Sequence, residues 1–555
     1  MYNGNNIFGN SNYKDEARKR IWIIMIIFML FFCLLIWKIS NYMYFKAEPL
    51  KAMFNAQYTI DEKYGTPYKL LDCNGNNLLN YEMTYTAVID PVDYFRFNEY
   101  TSKYDMEVLS ITLRNYNMNY DLDKIEGNGS FEKARYKIDK VTFDKIKDIK
   151  GVKGFYTFAV NELINDRYWK IENLLTNPKY NKQDEPYPVF KDDDSLEMQI
   201  FNKTKNNENE KIRFDKDVDG EISEGRIIYP ENNVNVRLTL DKEIQGSVEA
   251  ILHKSEYKNY AQIGVVLMES TNGKIRAMAQ KNDTLYNANL GIDGTGGAYP
   301  GSIFKTIVSE AGLDLDIIDK NDIFTVDGNI YPKHDKHENG YEYTQEEAYY
   351  DSSNDVYGQI GNEVGLENMY GYAEKQGLLS KVLNLHYEQN VEVDLSSAVY
   401  GNIINSAIGQ KVRISPLQAI SIPNTVINKG MYVQPSIIEA YVNDTNEVLE
   451  EVTSKTSQVL KSETAETMKQ FMMDVVTKGT GEHAYIEGMD IGGNTGTTEY
   501  TVKNENFSDG WFVGFFNLNG KNYSMVVFVQ KIPINIEGKN DEEGGTTAAP
   551  IFKEI

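Results

Sequence analysis

The chain has 555 residues, enough for two or three folded units. Hydrophobic residues make up 41% and charged residues 25%, an ordinary globular balance. With 57 Lys and Arg against 81 Asp and Glu, the net charge is −24, which excludes broad nucleic-acid binding and broad contact with anionic lipid headgroups outside the N-terminal tail.

Residues 21–37, IWIIMIIFMLFFCLLIW, carry no charge and read as a transmembrane helix, placed at 21–39. Lys14, Arg18, Lys19 and Arg20 precede it, which places the tail 1–20 in the cytoplasm and the bulk of the chain outside. A cleaved signal peptide would need a small-residue cleavage site, and KISNYMYFK offers none.

Residues 40–233 are polar, with solvated loops such as NKQDEPYPVFKDDDS and NKTKNNENEK. They are expected to form a separate, non-catalytic domain. From 234 the pattern tightens. VNVRLTL alternates like a half-buried strand, and DKEIQGSVEAILHK carries a helical stripe of Ile244, Val248, Ile251 and Leu252. AQIGVVLMES and GKIRAMAQ read as strands joined by a Thr-Asn-Gly turn. GWFVGFFNLNGKNYSMVVFVQK reads as a hairpin turned at Leu-Asn-Gly-Lys, and AAPIFKEI as a closing helix. The first and last strand pairs are expected to share one sheet, giving an α+β domain over 234–555.

Neither Cys33, inside the apolar run, nor Cys73 suggests a disulfide. His334 and His337 fall in the loop-like PKHDKHENG, without a nearby Cys or third His, so no metal site is expected. No cofactor motif is evident.

Serine nucleophiles need a base, and a Lys three residues on along a helix shares the serine's face. Four Ser-x-x-Lys pairs occur: Ser11–Lys14, Ser130–Lys133, Ser255–Lys258 and Ser302–Lys305. The first lies in the tail, and the next two have charged neighbours. Ser302 follows a Pro-Gly turn, and Lys305 sits among Ile303, Phe304, Ile307 and Val308. That context predicts a serine at the first turn of a buried helix, with a lysine whose desolvation would favour the neutral amine.

PGSIFK at 300–305, Ser352-Ser353-Asn354 and GNTGTTE at 493–499 then follow in order. Together they resemble the Ser-x-x-Lys, Ser-x-Asn and Lys-Thr-Gly signature of penicillin-binding transpeptidases and serine β-lactamases. LLDCNGNNLL, VRLTLDKEIQ, STNGKIRAMA, AIGQKVRISPLQA, GWFVGFF and GGTTAAPIFKEI also fall in family order. The long non-catalytic region and the anchor resemble the class B, monofunctional members. The fold so implied is a single transmembrane helix, an elongated pedestal over 40–233, and a transpeptidase domain whose antiparallel sheet is flanked by helices.

The resemblance implies that Ser302 attacks a D-alanyl-D-alanine stem peptide of peptidoglycan, with Lys305 accepting its proton. Ser352 would relay a proton to the leaving D-alanine, and Asn354 would hold Lys305 and the substrate amide. Backbone N–H groups of Ser302 and Thr497 would form an oxyanion hole, worth about 3 kcal/mol or more. Asn494, Thr495, Gly496 and Thr497 would line the substrate site. β-Lactams would acylate Ser302, and a membrane-embedded glycan polymerase would be the partner. Asn494 stands where the family has Lys, and losing such a charged hydrogen bond costs about 1.5–3 kcal/mol. Two readings follow: a working transpeptidase with weakened carboxylate binding, or an impaired scaffold that regulates a cell-wall complex. A β-lactam sensor or hydrolase is a third, without an identifiable deacylating base. Ser-Ser-Asn taken alone fits a helix cap, and Ser270-Thr271-Asn272 fits a turn.

Overall fold

The computed structural model describes residues 11–45, 57–62, 65–128, 132–164, 169–217, 221–292, 296–328, 330, 336–393, 400–534 and 543–555. Ser130 and His334 lie outside them.

Helix α1, Ser11–Ser40, contains the charge-free run, exposes its apolar side chains and is long enough to cross a bilayer. The chain divides into two compact units. The first gathers residues up to 64 with 82–162 and 209–229. Its core packs Ala87, Ile89, Leu109, Leu113 and Ile146. Strand Tyr58–Glu62 pairs antiparallel with Lys211–Asp215. On that strand the buried Asp61 receives Arg135 Nε at 3.0 Å, so its burial is compensated.

The second unit gathers 65–81, 163–208 and 230–555. Helix α2, Lys242–Leu252, starts at the Asp241 cap, whose Oδ1 accepts from Glu243 N at 3.0 Å and Ile244 N at 3.2 Å. Strands β1 (Gln262–Glu269) and β2 (Lys274–Gln280) follow. Lys305 opens α3, Lys305–Asp314, just after Ser302, and the Ser352-Ser353-Asn354 motif falls at the junction of α4 (Gln345–Tyr350) and α5 (Asn354–Val364). Helix α6, Ser462–Lys478, leads into β3 (Ile491–Val502), β4 (Glu505–Leu518) and β5 (Lys521–Pro533), and α7, Gly544–Glu554, closes the described chain.

These strands form one antiparallel sheet in the order β2-β1-β5-β4-β3. The first and last strand pairs therefore share a sheet, as the sequence implies. The β4–β5 hairpin turns at Asn519 and Gly520, φ 52° and 79°, the left-handed pair a two-residue turn needs.

Both faces of the sheet are covered. Val265, Leu267, Val527 and Val529 pack with Val248 and Leu252 of α2 and Ile551 and Phe552 of α7. Val266, Met268, Val526 and Phe528 pack with Phe304, Ile307 and Val308, and with Val356 of α5. Burial on both sides explains why QIGVVLME is apolar without alternation. It also places α3 against the sheet's inner face, with its start beside edge strand β3.

Candidate active site

Ser302 lies in a 3-10 turn, Gly301–Phe304, immediately ahead of α3. The expected first helical turn is thus wound more tightly, and the α-helix itself starts at Lys305. Gly301 has φ 58°, a left-handed backbone that a side chain would strain. A Cβ there would also lie 2.7 Å from the Thr497 carbonyl oxygen and 3.2 Å from Thr497 N. A Cβ on Gly496 would reach the Pro300 carbonyl at 2.4 Å. The Pro-Gly turn and β3 therefore meet backbone to backbone, which sets Thr497 N beside the Ser302 turn.

Lys305 is buried, 1% exposed. Its Nζ donates to the Ser352 carbonyl at 2.6 Å, to Ser352 Oγ at 3.0 Å and to Asn354 Oδ1 at 2.7 Å. The nitrogen also stands 5.4 Å from the centre of the Tyr357 ring. The first two motifs thus come together from segments 47 residues apart. Ser352 adopts φ 60° in the bend between α4 and α5. Its neighbour Ser353 is the cap of α5, with Oγ accepting from Val356 N at 3.1 Å. The cap of Ser-Ser-Asn is Ser353, while Ser352 and Asn354 are the residues that meet Lys305.

Asn494 is 1% exposed and turns inward. Its Nδ2 donates to the Ser302 carbonyl and to Thr306 Oγ1, both at 3.2 Å. Thr495 Oγ1 lies 2.7 Å from Thr480 Oγ1. Thr497 Oγ1 accepts from Gly544 N at 3.0 Å, so its own O–H remains available to donate. In the threonine pair one hydroxyl donates to the other, which leaves one further O–H for a ligand.

The other Ser-x-x-Lys pairs have different settings. Ser255 and Lys258 are exposed around a 3-10 turn. Ser270-Thr271-Asn272 is the β1–β2 turn, where Asn272 Oδ1 accepts from Lys274 N at 3.0 Å.

Sequence reasoning missed Thr306, Tyr349 and Thr480. Thr306 Oγ1 and Tyr349 OH lie 2.9 Å apart. Burial raises the Tyr349 phenol well above its ordinary pKa, so it stays neutral. The available signal is proximity to motifs: Thr306 follows Lys305, and Tyr349 stands three residues before Ser352.

A serine one turn ahead of a buried lysine, at the start of a helix between an antiparallel sheet and a helical layer, is an arrangement that serine acyl transfer would require. The profile described as penicillin binding protein transpeptidase domain matches residues 263–555. The chain belongs to the penicillin-binding protein transpeptidase family. Stage V sporulation protein D of Bacillus subtilis is 26% identical over 325 residues, covering 52% of this chain and 48% of the relative. Penicillin-binding protein PbpB of Mycobacterium tuberculosis is 25% identical over 321 residues, covering 53% and 47%. The chain spans about half the length of these curated relatives. In fold it is similar to a peptidoglycan synthetase from Bifidobacterium adolescentis, with TM-score 0.62, 18% identity and coverage of 90% and 95%. It is likewise similar to penicillin-binding protein 3 from Mycobacterium tuberculosis complexed with aztreonam, with TM-score 0.55, 18% identity and coverage of 89% and 95%.

Proposed function

We propose that the chain is a peptidoglycan D,D-transpeptidase that works through a Ser302 acyl-enzyme and is acylated by β-lactams at the same serine. The observation that carries this reading is the buried Lys305 Nζ, one turn beyond Ser302 and bonded to Ser352 Oγ and Asn354 Oδ1. A scaffold has no physical need for a buried lysine held by two polar side chains.

In the neutral form Lys305 takes the Ser302 proton as the hydroxyl oxygen attacks the substrate carbonyl. The tetrahedral oxyanion rests on the N–H groups of Ser302 and Thr497, beside each other through the Gly301 approach. Collapse expels D-alanine, protonated through Ser352, and an amine of a second stem then takes the acyl group. The free O–H groups at Thr497 and at the Thr480–Thr495 pair receive the substrate carboxylate, a neutral recognition in place of the family lysine. Asn494 itself faces away from that carboxylate.

The arrangement follows the class B members. Helix α1 anchors the chain with its N-terminus in the cytoplasm, the parts of 40–233 that belong to the first unit, among them 82–162 and 209–229, act as a pedestal, and a membrane-embedded glycan polymerase is the partner. The Lys14–Arg20 cluster supports that orientation.

Incubating the chain with a fluorescent penicillin, beside Ser302→Ala, tests the reading. Covalent label on the wild type alone is expected. Equal labelling of both, or of neither, would sink it. Labelling without crosslinking of a stem-peptide donor would favour the scaffold alternative.

A further inference from the structure

We infer that Asn494 is a positioning residue which, with Thr306 and Tyr349, clamps the main chain of Ser302 through uncharged hydrogen bonds. The inference rests on the acylation reading above and adds residues that touch neither substrate nor the reacting atoms.

An amide nitrogen has two protons to donate. In Asn494 one meets the Ser302 carbonyl and the other Thr306 Oγ1, each at 3.2 Å. Its Oδ1 accepts from Thr495 N at 2.8 Å. Thr306 Oγ1 in turn meets Tyr349 OH at 2.9 Å. Three segments are joined in this way: β3, the turn and first residues of α3, and α4. Asn494, Thr306 and Tyr349 are all buried to 1% exposure or less.

The chemistry suits an amide. Two directed donors are needed at a buried point, and a cation there would need a compensating partner. The clamp grips the nucleophile's own carbonyl on one side and the residue after the base on the other. It therefore fixes Ser302 and Lys305 relative to β3, whose Thr497 N–H faces the developing oxyanion. Small displacements of a nucleophile cost rate steeply. Asn494 is thus more than a lost charge: its side chain holds the reacting serine in register with the strand.

The test uses the full chain in detergent micelles and two readouts. The first is the second-order rate of Ser302 labelling by a fluorescent penicillin. Asn494→Ala and Thr306→Val are each expected to slow it about tenfold or more, as loss of buried hydrogen bonds at a reacting group does. Because both break one unit, the double variant should fall no more than about threefold below the slower single. Thr306→Ser, which keeps the hydroxyl, should recover to within about threefold of wild type. The second readout, amide hydrogen exchange of residues 301–306, needs no acylation and should speed up in Asn494→Ala. Tyr349→Phe keeps the ring and supplies a folded variant if Thr306→Val does not fold; it should slow labelling in the same direction. Wild-type labelling and exchange rates in Thr306→Val or Tyr349→Phe would overturn the clamp, as would fully multiplicative effects in the double variant. If the wild type takes no label while exchange responds to Asn494→Ala, the acylation reading falls and the clamp stands.

Discussion

Lys305 Nζ donates to both the hydroxyl and the carbonyl of Ser352, at 3.0 and 2.6 Å. Ser352 makes this double contact from a left-handed backbone, φ 60°. For a residue with a Cβ that conformation costs roughly 1–2 kcal/mol. The site therefore stores strain at the residue that would move the proton.

Replacing Ser352 separates strain from chemistry. Ser352→Gly relieves the backbone and is expected to be about 1 kcal/mol more stable than Ser352→Ala. Both lose the hydroxyl and should label about 100-fold more slowly with a fluorescent penicillin. Thermal melting beside labelling kinetics checks the pair. A Gly variant less stable than the Ala variant would contradict the strain.

Asn494→Lys places a cation where a neutral, buried amide makes three contacts. The expected outcome is a stability loss of about 1–3 kcal/mol and slower, not faster, acylation. Denaturant melts and labelling rates decide it. Acceleration would mean that the position faces substrate after all.

Glu310, on α3 behind the site, is fully buried, and Oε2 accepts from Gln376 Nε2. Burial pushes its carboxyl up to about 8. The folded-state value lies above the unfolded one, so folding favours the neutral acid. That contribution is complete below the ordinary carboxylate range and is lost as pH rises through about 8. Glu310→Gln should gain on the order of 4 kcal/mol relative to wild type between pH 5 and 9. Asp509, pushed up to about 6 by burial, acts in a lower, overlapping window, so the fall in stability between about 6 and about 8 belongs to Glu310 rather than Asp509, and the variant should flatten it. Parallel stability–pH curves for the two proteins would refute the assignment.

Gly301→Ala brings a methyl 2.7 Å from the Thr497 carbonyl at φ 58°. The expected cost is about 2 kcal/mol or more, with labelling reduced by at least about tenfold because the turn and strand must separate. A folded Gly301→Ala protein that labels at the wild-type rate would show that the approach is not needed.

Much of the site was legible in the sequence because chemistry restricts residue types there. Ser302 and Lys305 stood out from three other pairs by their Pro-Gly lead and apolar neighbours, and the Asn-Gly turn announced the β4–β5 hairpin. The clamp was not legible. Thr306, Tyr349 and Thr480 are ordinary residues drawn from separate segments, and only tertiary contact gives them a shared task. Asn494 read as a missing charge, since a sequence does not reveal that a side chain points inward. The parallel pairing of Leu70 with Val236 is likewise long-range and leaves no local pattern.

The contact of Gly301 and Gly496 with the facing carbonyls bears on how drug escape could evolve. At their closest points the nucleophile turn and β3 meet through main-chain carbonyls, with the Thr498 and Ile303 side chains next to them. On the proposed reading, selection for β-lactam resistance could not loosen those carbonyl contacts by trimming a side chain. It would act on the residues that time and aim the serine.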